Sequence, residues 1–532
     1  MPSSPPSARA LAWAAIATAL SGAALLWGEP LLGFSGAEVY GHAWVQWWHA
    51  RALPAWPDSP AALLPGVKVW TVIDLVPTAI GALAGRLAGL VAGWNATLLA
   101  AIALAGLGGA DLARRTGGDP RVGAVALAAA PALQGAASSG LTEDLMVGLS
   151  ALALARIGDP DLRKAALAGV LLGATAWCGL VLAWATGLAA LLLGLVLVAR
   201  ERSRWKSLAV SAGLTALVVA PVALLHATRL GGRGHRMGAV LRQQEPLWRL
   251  NPWHGADLAS FLVPGPVDPG NALVRLHPGY LGLSLLALAF LAKRSRWWLM
   301  VLALVALAPG RQLALAGRPL GLPNPAVAVA DLLPFADLIN HHGRMLVVAA
   351  VGLSALAAQG AMRVPARWRA LLPGILLLDL ALLSPVGLPL PTAPRPTLLV
   401  NDCQRAPEPA ATAAHPCVGS LPGGTVLHLP LAGPGVHFQR PLMFQTQHER
   451  PILLNPNQPG LPPDLAQTPT GRWLNGVAFP DPPPAPDVLE LPRSVATIVV
   501  EEPWVDRVEA ALGPPTLRAA DGAAWDVARG AP

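Results

Sequence analysis

The sequence predicts a polytopic α-helical membrane protein of about eleven transmembrane helices, followed by a small C-terminal extracytoplasmic domain of α/β or mainly β type. Three observations predict it. Only 13% of the 532 residues are charged and 54% are hydrophobic, whereas soluble domains carry about 25% charged residues. A soluble chain this poor in charge lacks the polar groups to cover its surface. Several apolar runs are long enough to cross a hydrocarbon core about 30 Å thick. The arginines, finally, gather in short turns between those runs.

Taken in order, the apolar runs are 11–27, 89–111, 120–137, 143–157, 165–179, 182–199, 207–226, 279–292, 297–310, 345–362 and 368–387. Arg9 precedes the first run and no small-residue cleavage site follows it, so this run reads as an uncleaved span. The basic clusters are Arg114–Arg115, Arg156 with Arg163 and Lys164, Arg200 to Lys206, Lys293 to Arg296, and Arg363 to Arg369. With the N-terminus cytoplasmic, every cluster falls on the cytoplasmic face and the C-terminus lies outside. Residues 1–387 are therefore read as the membrane domain and 388–532 as the extracytoplasmic domain. In the latter, prolines become dense and strand-like segments appear (GTVLHLPL, RPILLN, SVATIVVEEPW).

A net charge of +8 would point to nucleic acid in a soluble protein. Here arginine-rich cytoplasmic turns account for it, so the partner is the lipid bilayer and nucleic acid is excluded. Lysine occurs only at Lys68, Lys164, Lys206 and Lys293. With so much Ala, Gly, Pro and Leu, this composition suits a bacterium with a GC-rich genome, and so an inner (plasma) membrane location. Walker A, dinucleotide-binding GxGxxG, GxSxG and zinc-helix motifs are absent. The glycines of GLGGADL lie within a span and read as helix packing by small residues.

Four stretches fall outside: 28–88, Ser138 to Asp144, 227–278 and 311–344. The first holds Trp44, Trp47, Trp48 and Trp56, read as an interfacial helix, and a second interfacial helix over 70–88 with Asp74. Glu38 is followed by His42 and His49; a carboxylate there can serve as a general base or hold a divalent cation, or simply be solvated. Glu143 and Asp144 open a span, where acids favour the helix dipole, with a ligand role as the alternative. The loop 227–278 carries six arginines, among them Arg236, suited to a lipid phosphate or to anionic head groups. Arg344 follows His341 and His342 at the outer end of a span, and can snorkel or point at a phosphate. Asp379 lies inside the last span, where acids are costly and either functional or paired with a neighbouring span. Cys178 reads as a small core hydrophobe. Cys403 and Cys417, in the outer domain, can bridge in an oxidising compartment.

Taken together, several stretches in order resemble the bacterial GT-C-type integral membrane glycosyltransferases, especially their multi-spanning relatives. These are SGAEVYGHAWVQWW, LARRTGG, PALQGAASSGLTEDLMVGLSALALA, NPWHGADLASFLVPGP, HPGYLGLSLLALAFLA, DLLPFADLINHHGRMLVVAAVGLSALAAQG, and GTVLHLPL with MFQTQHERPILLN. The resemblance covers most of the chain. It implies transfer of a sugar from a polyprenyl-phosphate donor to a glycan, lipid or protein acceptor on the extracytoplasmic face. Glu38, with His42, matches the family's acid in the first outer loop. Arg236, Arg344 and His341 would lie at the donor phosphate, with or without a divalent cation such as Mg or Mn. Departing from the family's pattern, Glu38 has no adjacent acid; Asp58 and Asp74 lie far along the loop. The alternatives are a lipid-linked glycan transporter or flippase and a non-catalytic membrane scaffold.

Overall fold

The computed structural model describes residues 8–22, 30–35, 38–51, 74–225, 255–264, 279–292, 295–333, 339, 341–396, 421, 423–431, 439–454, 461 and 463–527. They divide into two compact units. One comprises Met1–Gly28, Leu32–Phe34 and Ile73–Thr392, the other Glu29–Leu31, Ser35–Val72 and Ala393–Pro532.

Among the described residues of the first unit, five helices are long and apolar enough to cross a membrane: Leu90–Arg115, Pro120–Ser139, Leu180–Arg200, Arg202–Leu225 and His342–Ala361. The first has 26 residues and so reaches about 39 Å. Ala8–Leu20, Leu75–Ala88, Trp297–Leu307 and Leu372–Leu382 are shorter apolar helices. The remaining expected spans fall on Val147–Leu154, Leu162–Ala176 and Leu283–Leu291. Pro120–Ser139 and His342–Ala361 are almost wholly buried, whereas Arg202–Leu225 is largely uncovered by protein, as a lipid-facing helix should be. The helix that begins at Pro120 breaks after Ala128 and restarts at Pro131, which lacks the N–H that a continuous helix would need.

Small residues set the distances between these helices. A Cβ on Gly109 would come 2.2 Å from the Gly123 carbonyl oxygen, and one on Gly123 2.4 Å from that of Gly109. Gly108 meets Gly148 in the same way. The GLGGADL stretch is thus a packing face. Leu75–Ala88 folds back along Leu90–Arg115 through Gly89, whose φ of 88° suits glycine. Gly93 packs against the backbone of Gly81 and Gly85 at this crossing.

Several polar residues of the bundle have partners among the described residues. Asp111 meets Arg114, Arg115 at 3.0 Å and Arg156 at 2.7 Å. Asp379, for which the sequence named no partner, accepts from Tyr280 Oη at 2.8 Å and from Ser284 N at 2.7 Å. It therefore serves the open N-terminus of Leu283–Leu291, a structural role. Cys178 is buried, and its Sγ donates to Ala174 O at 3.3 Å.

In the second unit, β1 (Thr425–Leu429), β2 (Val495–Glu501), β3 (Leu517–Ala519) and β4 (Gly522–Asp526) form a mixed sheet in the order β1-β2-β4-β3. β1 and β2 are parallel, so the chain must cross over between them, and it does so with helices Arg440–His448 and Pro469–Gly476 in the interval. The architecture is α/β. The RPILLN stretch is not a strand; Ile452 makes only an isolated bridge to Val426.

The tryptophan-rich helix Val39–Arg51 also departs from expectation. It is part of this unit's core rather than a lipid-facing interfacial helix. Trp44 is fully buried, and its indole N–H donates to Gln445 Oε1 at 2.8 Å. Gly41 N donates to Gln439 Oε1 at 3.1 Å, and Tyr40 Oη donates to Pro394 O at 3.0 Å. Arg51 stacks on Trp47 and pairs with Glu449. A buried indole needs an acceptor for its N–H, and helix Arg440–His448 supplies it.

Beneath that helix, His428 and His448 stack with their Nε2 atoms 3.0 Å apart, and His448 Nδ1 accepts from Arg450 N at 3.0 Å. Burial, then the charge of Arg450, pushes His448 down to about 3; burial, then His448, pushes His428 well below the usual imidazole range. The Glu501 carboxyl is raised to about 7 by burial, with Arg440, 2.8 Å away, opposing the rise.

Two predictions follow from the packing. Gly123→Ala should overpack the crossing with Gly109 and cost about 1–3 kcal/mol, seen as a lower unfolding midpoint in lipid nanodiscs. Both histidines bind protons more readily when unfolded, so the second unit should lose stability as pH falls from about 6.5 towards about 3. Glu501 acts oppositely between about 4.5 and about 7. His448→Gln should flatten the acid limb of a pH-dependent unfolding series.

Candidate functional site

In the first unit, the turn after Pro131–Ser139 brings acids and an arginine together. Gly140, with φ 73°, closes that helix in the left-handed conformation, and Thr142–Leu145 starts at once. This turn therefore carries Thr142, Glu143 and Asp144 as a buried group. From the other side comes the short helix His342–Arg344, which leads into Met345–Ala361. Arg344 Nη2 stands 2.7 Å from Glu143 Oε1, and Arg344 Nε 3.1 Å from Asp144 Oδ2. The three side chains are 8%, 2% and 9% exposed for Glu143, Asp144 and Arg344.

Asp74 joins the group through Thr142, whose hydroxyl donates to its carboxylate. The start of Leu75–Ala88 is held by Val76 N donating to Trp177 O at 3.0 Å. Gly179 lies against the Glu143 backbone, where a Cβ would come 2.3 Å from the carbonyl oxygen. With one arginine against two carboxylates, the triplet carries a formal charge of −1, and Asp74 adds another.

Of the sequence candidates, Glu143, Asp144, Asp74 and Arg344 are thus assembled. His341 is half-buried and His342 buried, three and two residues before Arg344 in the chain. Glu38 and His42 belong to the second unit. Glu38 is 53% exposed, and its Oε2 lies 3.4 Å from His42 Nε2, one turn along helix Val39–Arg51. Arg236, Cys403 and Cys417 lie outside the described residues, as does Asp58. Sequence reasoning missed Thr142 and Gly179. The Thr142 hydroxyl was visible in LTEDL, whereas Gly179 carries no signal of its own.

Carboxylate oxygens suit Mg or Mn. Among the described residues, however, no group of three His, Cys, Asp or Glu is arranged to hold a metal ion. Glu143 and Asp144 hold the guanidinium fork of Arg344. An arginine so oriented presents its donors in a set plane, the form that recognises phosphate.

No protein-family model and no curated protein matches the chain. Several solved structures are similar to it. Arabinofuranosyltransferase AftD from Mycobacteria is 17% identical with a TM-score of 0.48, covering 98% of this chain and 36% of its own, so the chain spans little more than a third of that protein's length. The Archaeoglobus fulgidus oligosaccharyltransferase in its apo form is 13% identical with a TM-score of 0.48, covering 92% of this chain and 69% of its own. ArnT from Cupriavidus metallidurans bound to undecaprenyl phosphate is 16% identical with a TM-score of 0.38, covering 69% of this chain and 62% of its own. These neighbours are GT-C glycosyltransferases, the kind the sequence resembles. The functional reading rests on this chain's own residues.

Removing Arg344 would leave two buried carboxylates without their counter-charge. Arg344→Ala should therefore destabilise the protein by about 3–5 kcal/mol, measured as a fall in thermal unfolding midpoint in nanodiscs. Arg344→Lys, which keeps the charge and loses the fork, should recover part of the loss.

Proposed function

We propose that this chain is a membrane glycosyltransferase that takes a sugar from a polyprenyl-phosphate donor and places it on an extracytoplasmic glycan, lipid or protein acceptor. The observation that carries the reading is the buried Glu143–Arg344–Asp144 triplet within a membrane-spanning helical unit. Buried ion pairs are weak sources of stability, and ionisable groups within a membrane protein mark functional sites by default. The GT-C resemblance of the sequence supports the same reading.

The topology is part of the proposal. Helix Val39–Arg51 follows the first span, and it belongs to the same compact unit as the C-terminal domain. Both therefore lie on one side of the membrane. With the basic turns cytoplasmic, that side is the extracytoplasmic face of the bacterial inner membrane, where Cys403 and Cys417 are free to bridge.

In the reaction, the acceptor hydroxyl attacks the anomeric carbon. Its proton passes to a carboxylate, for which the resemblance nominates Glu38, with His42 beside it. The bond from the anomeric carbon to the phosphate oxygen breaks, and polyprenyl phosphate departs with the electron pair. Negative charge grows on that phosphate as it leaves. A preorganised guanidinium is the group to meet it, and Glu143 and Asp144 orient Arg344 for this. Arg236 and His341 are further candidates for the donor phosphate. No step is assigned to a metal ion.

The same buried charges would serve a lipid-linked glycan transporter, so the test separates the two. Purified protein in nanodiscs is given a labelled sugar on a polyprenyl-phosphate donor, and transfer to acceptor is counted. Glu38→Gln should lose about 10²-fold or more in rate, the scale of general-base catalysis, with no change in unfolding midpoint. Wild-type turnover in that variant would remove Glu38 as the base. Absence of transfer from a panel of donors, together with movement of the donor between leaflets of liposomes, would replace the enzyme by a transporter.

A further inference from the structure

Between helix Trp297–Leu307 and helix His342–Ala361 the chain forms a β-hairpin, Gln312–Leu315 with Arg318–Pro323, and then the short helix Pro325–Ala330. The strands pair antiparallel, with Leu315 opposite Arg318. The turn places Ala316 at φ 53° and Gly317 at φ 77°, the two positive values of the tight hairpin turn that matches strand twist. Alanine resists that conformation. Asp257 fixes it by accepting from Ala316 N at 3.0 Å and from Gly317 N at 2.8 Å, and Leu258 N donates to Ala314 O at 2.9 Å. The hairpin is thus a pinned element.

Its surface is unlike that of a soluble hairpin, which buries one face. All six residues of Arg318–Pro323 are exposed. Leu315, Leu320 and Leu322 are 47%, 41% and 56% exposed. On the following helix Val327 and Ala330 turn inward, while Val329 and Leu332 are 67% and 83% exposed. On the preceding apolar helix Leu299 and Leu302 are exposed as well. Exposed leucines between two apolar membrane helices meet lipid. A two-stranded hairpin nevertheless has unpaired edge N–H and C=O groups, which hydrocarbon does not tolerate. The depth that satisfies both demands is the interfacial layer.

We propose that the hairpin Gln312–Pro323 and the helix Pro325–Ala330 form a membrane-surface anchor: Leu315, Leu320, Leu322, Val329 and Leu332 enter the head-group and upper acyl layer of the adjoining lipid leaflet, while Arg318 stays at phosphate depth. Its side chain is long enough to snorkel there, and its charge suits anionic head groups. The anchor rests on the membrane reading alone and is independent of the proposed reaction. It precedes His342–Arg344 in the chain.

The test places a cysteine at Leu322→Cys in the full chain, labels it with an environment-sensitive fluorophore, and reconstitutes it in nanodiscs with phospholipids carrying nitroxide quenchers at shallow or deep positions. The parent chain, labelled alike, gives the background from native cysteines, and Glu509→Cys gives a site in the C-terminal domain. An amphipathic element at the surface sits about 5–10 Å into the head-group boundary, so the shallow nitroxide should quench Leu322→Cys most, the deep one less, and neither should quench Glu509→Cys. Quenching of Leu322→Cys no greater than that of Glu509→Cys would overturn the proposal in favour of water or a protein cover. Stronger quenching by the deep nitroxide would overturn it in favour of a buried span.

Discussion

Three charges kept from water at one end of the helical unit impose the tightest constraint on it. Each ion taken from water costs several kcal/mol after relaxation. Glu143, Asp144 and Arg344 repay this only if their geometry is held. Much of the local structure serves that end. The left-handed Gly140 lets the chain turn sharply enough to present two consecutive acids. Gly179 has no side chain, so the backbone of Glu143 can approach. Helix Met345–Ala361, buried nearly throughout, gives Arg344 a rigid base. Thr142 then extends the group to Asp74, so that the start of Leu75–Ala88 is positioned by the same turn.

Such a site requires stiff helices, and in a membrane the stiffness cannot come from the hydrophobic effect between helices. Lipid tails are as apolar as leucine, so close van der Waals contact and buried hydrogen bonds must do it. The 54 glycines of the chain make sense in this light. At Gly109–Gly123 and Gly108–Gly148 two backbones touch, which no larger residue permits. Ser150 and Thr186 share a hydrogen bond of 2.8 Å inside the bundle. The charged turn at Asp111 ties Leu90–Arg115 to Arg156 beyond the helix Val147–Leu154.

What the sequence disclosed follows from which forces are local. Hydropathy is a sum over neighbours, so the helices of the bundle were visible as apolar runs, and Glu143, Asp144 and Arg344 stood out as charges at run ends. Their union was not legible, because Arg344 is 201 residues from Glu143 and nothing local marks the pairing. The same blindness misplaced the tryptophans. Trp44 and Trp47 look like an interfacial belt when only their own segment is considered. Their burial depends on Gln445, 401 residues from Trp44, and on Gln439. Asp379 is a third case. An acid within a span suggested either chemistry or pairing with a neighbouring span, and it pairs with the helix start at Ser284, a partner nothing local could name.

The tryptophan helix also constrains the membrane topology by parity. It follows the first span, and the C-terminal domain follows the last, yet they share one core through Trp44–Gln445, Gly41–Gln439 and Arg51–Glu449. Two segments in one core cannot lie on opposite sides of a bilayer, so the proposed topology must carry the chain across an even number of times between residues 51 and 393. The ten apolar runs read between 89 and 387 would meet that requirement. Leu75–Ala88 would make the number odd if it crossed as well. The proposed topology therefore requires that Leu75–Ala88, which folds back against Leu90–Arg115, does not cross, and it leaves Asp74 on the same side as the turn that carries Glu143 and Asp144.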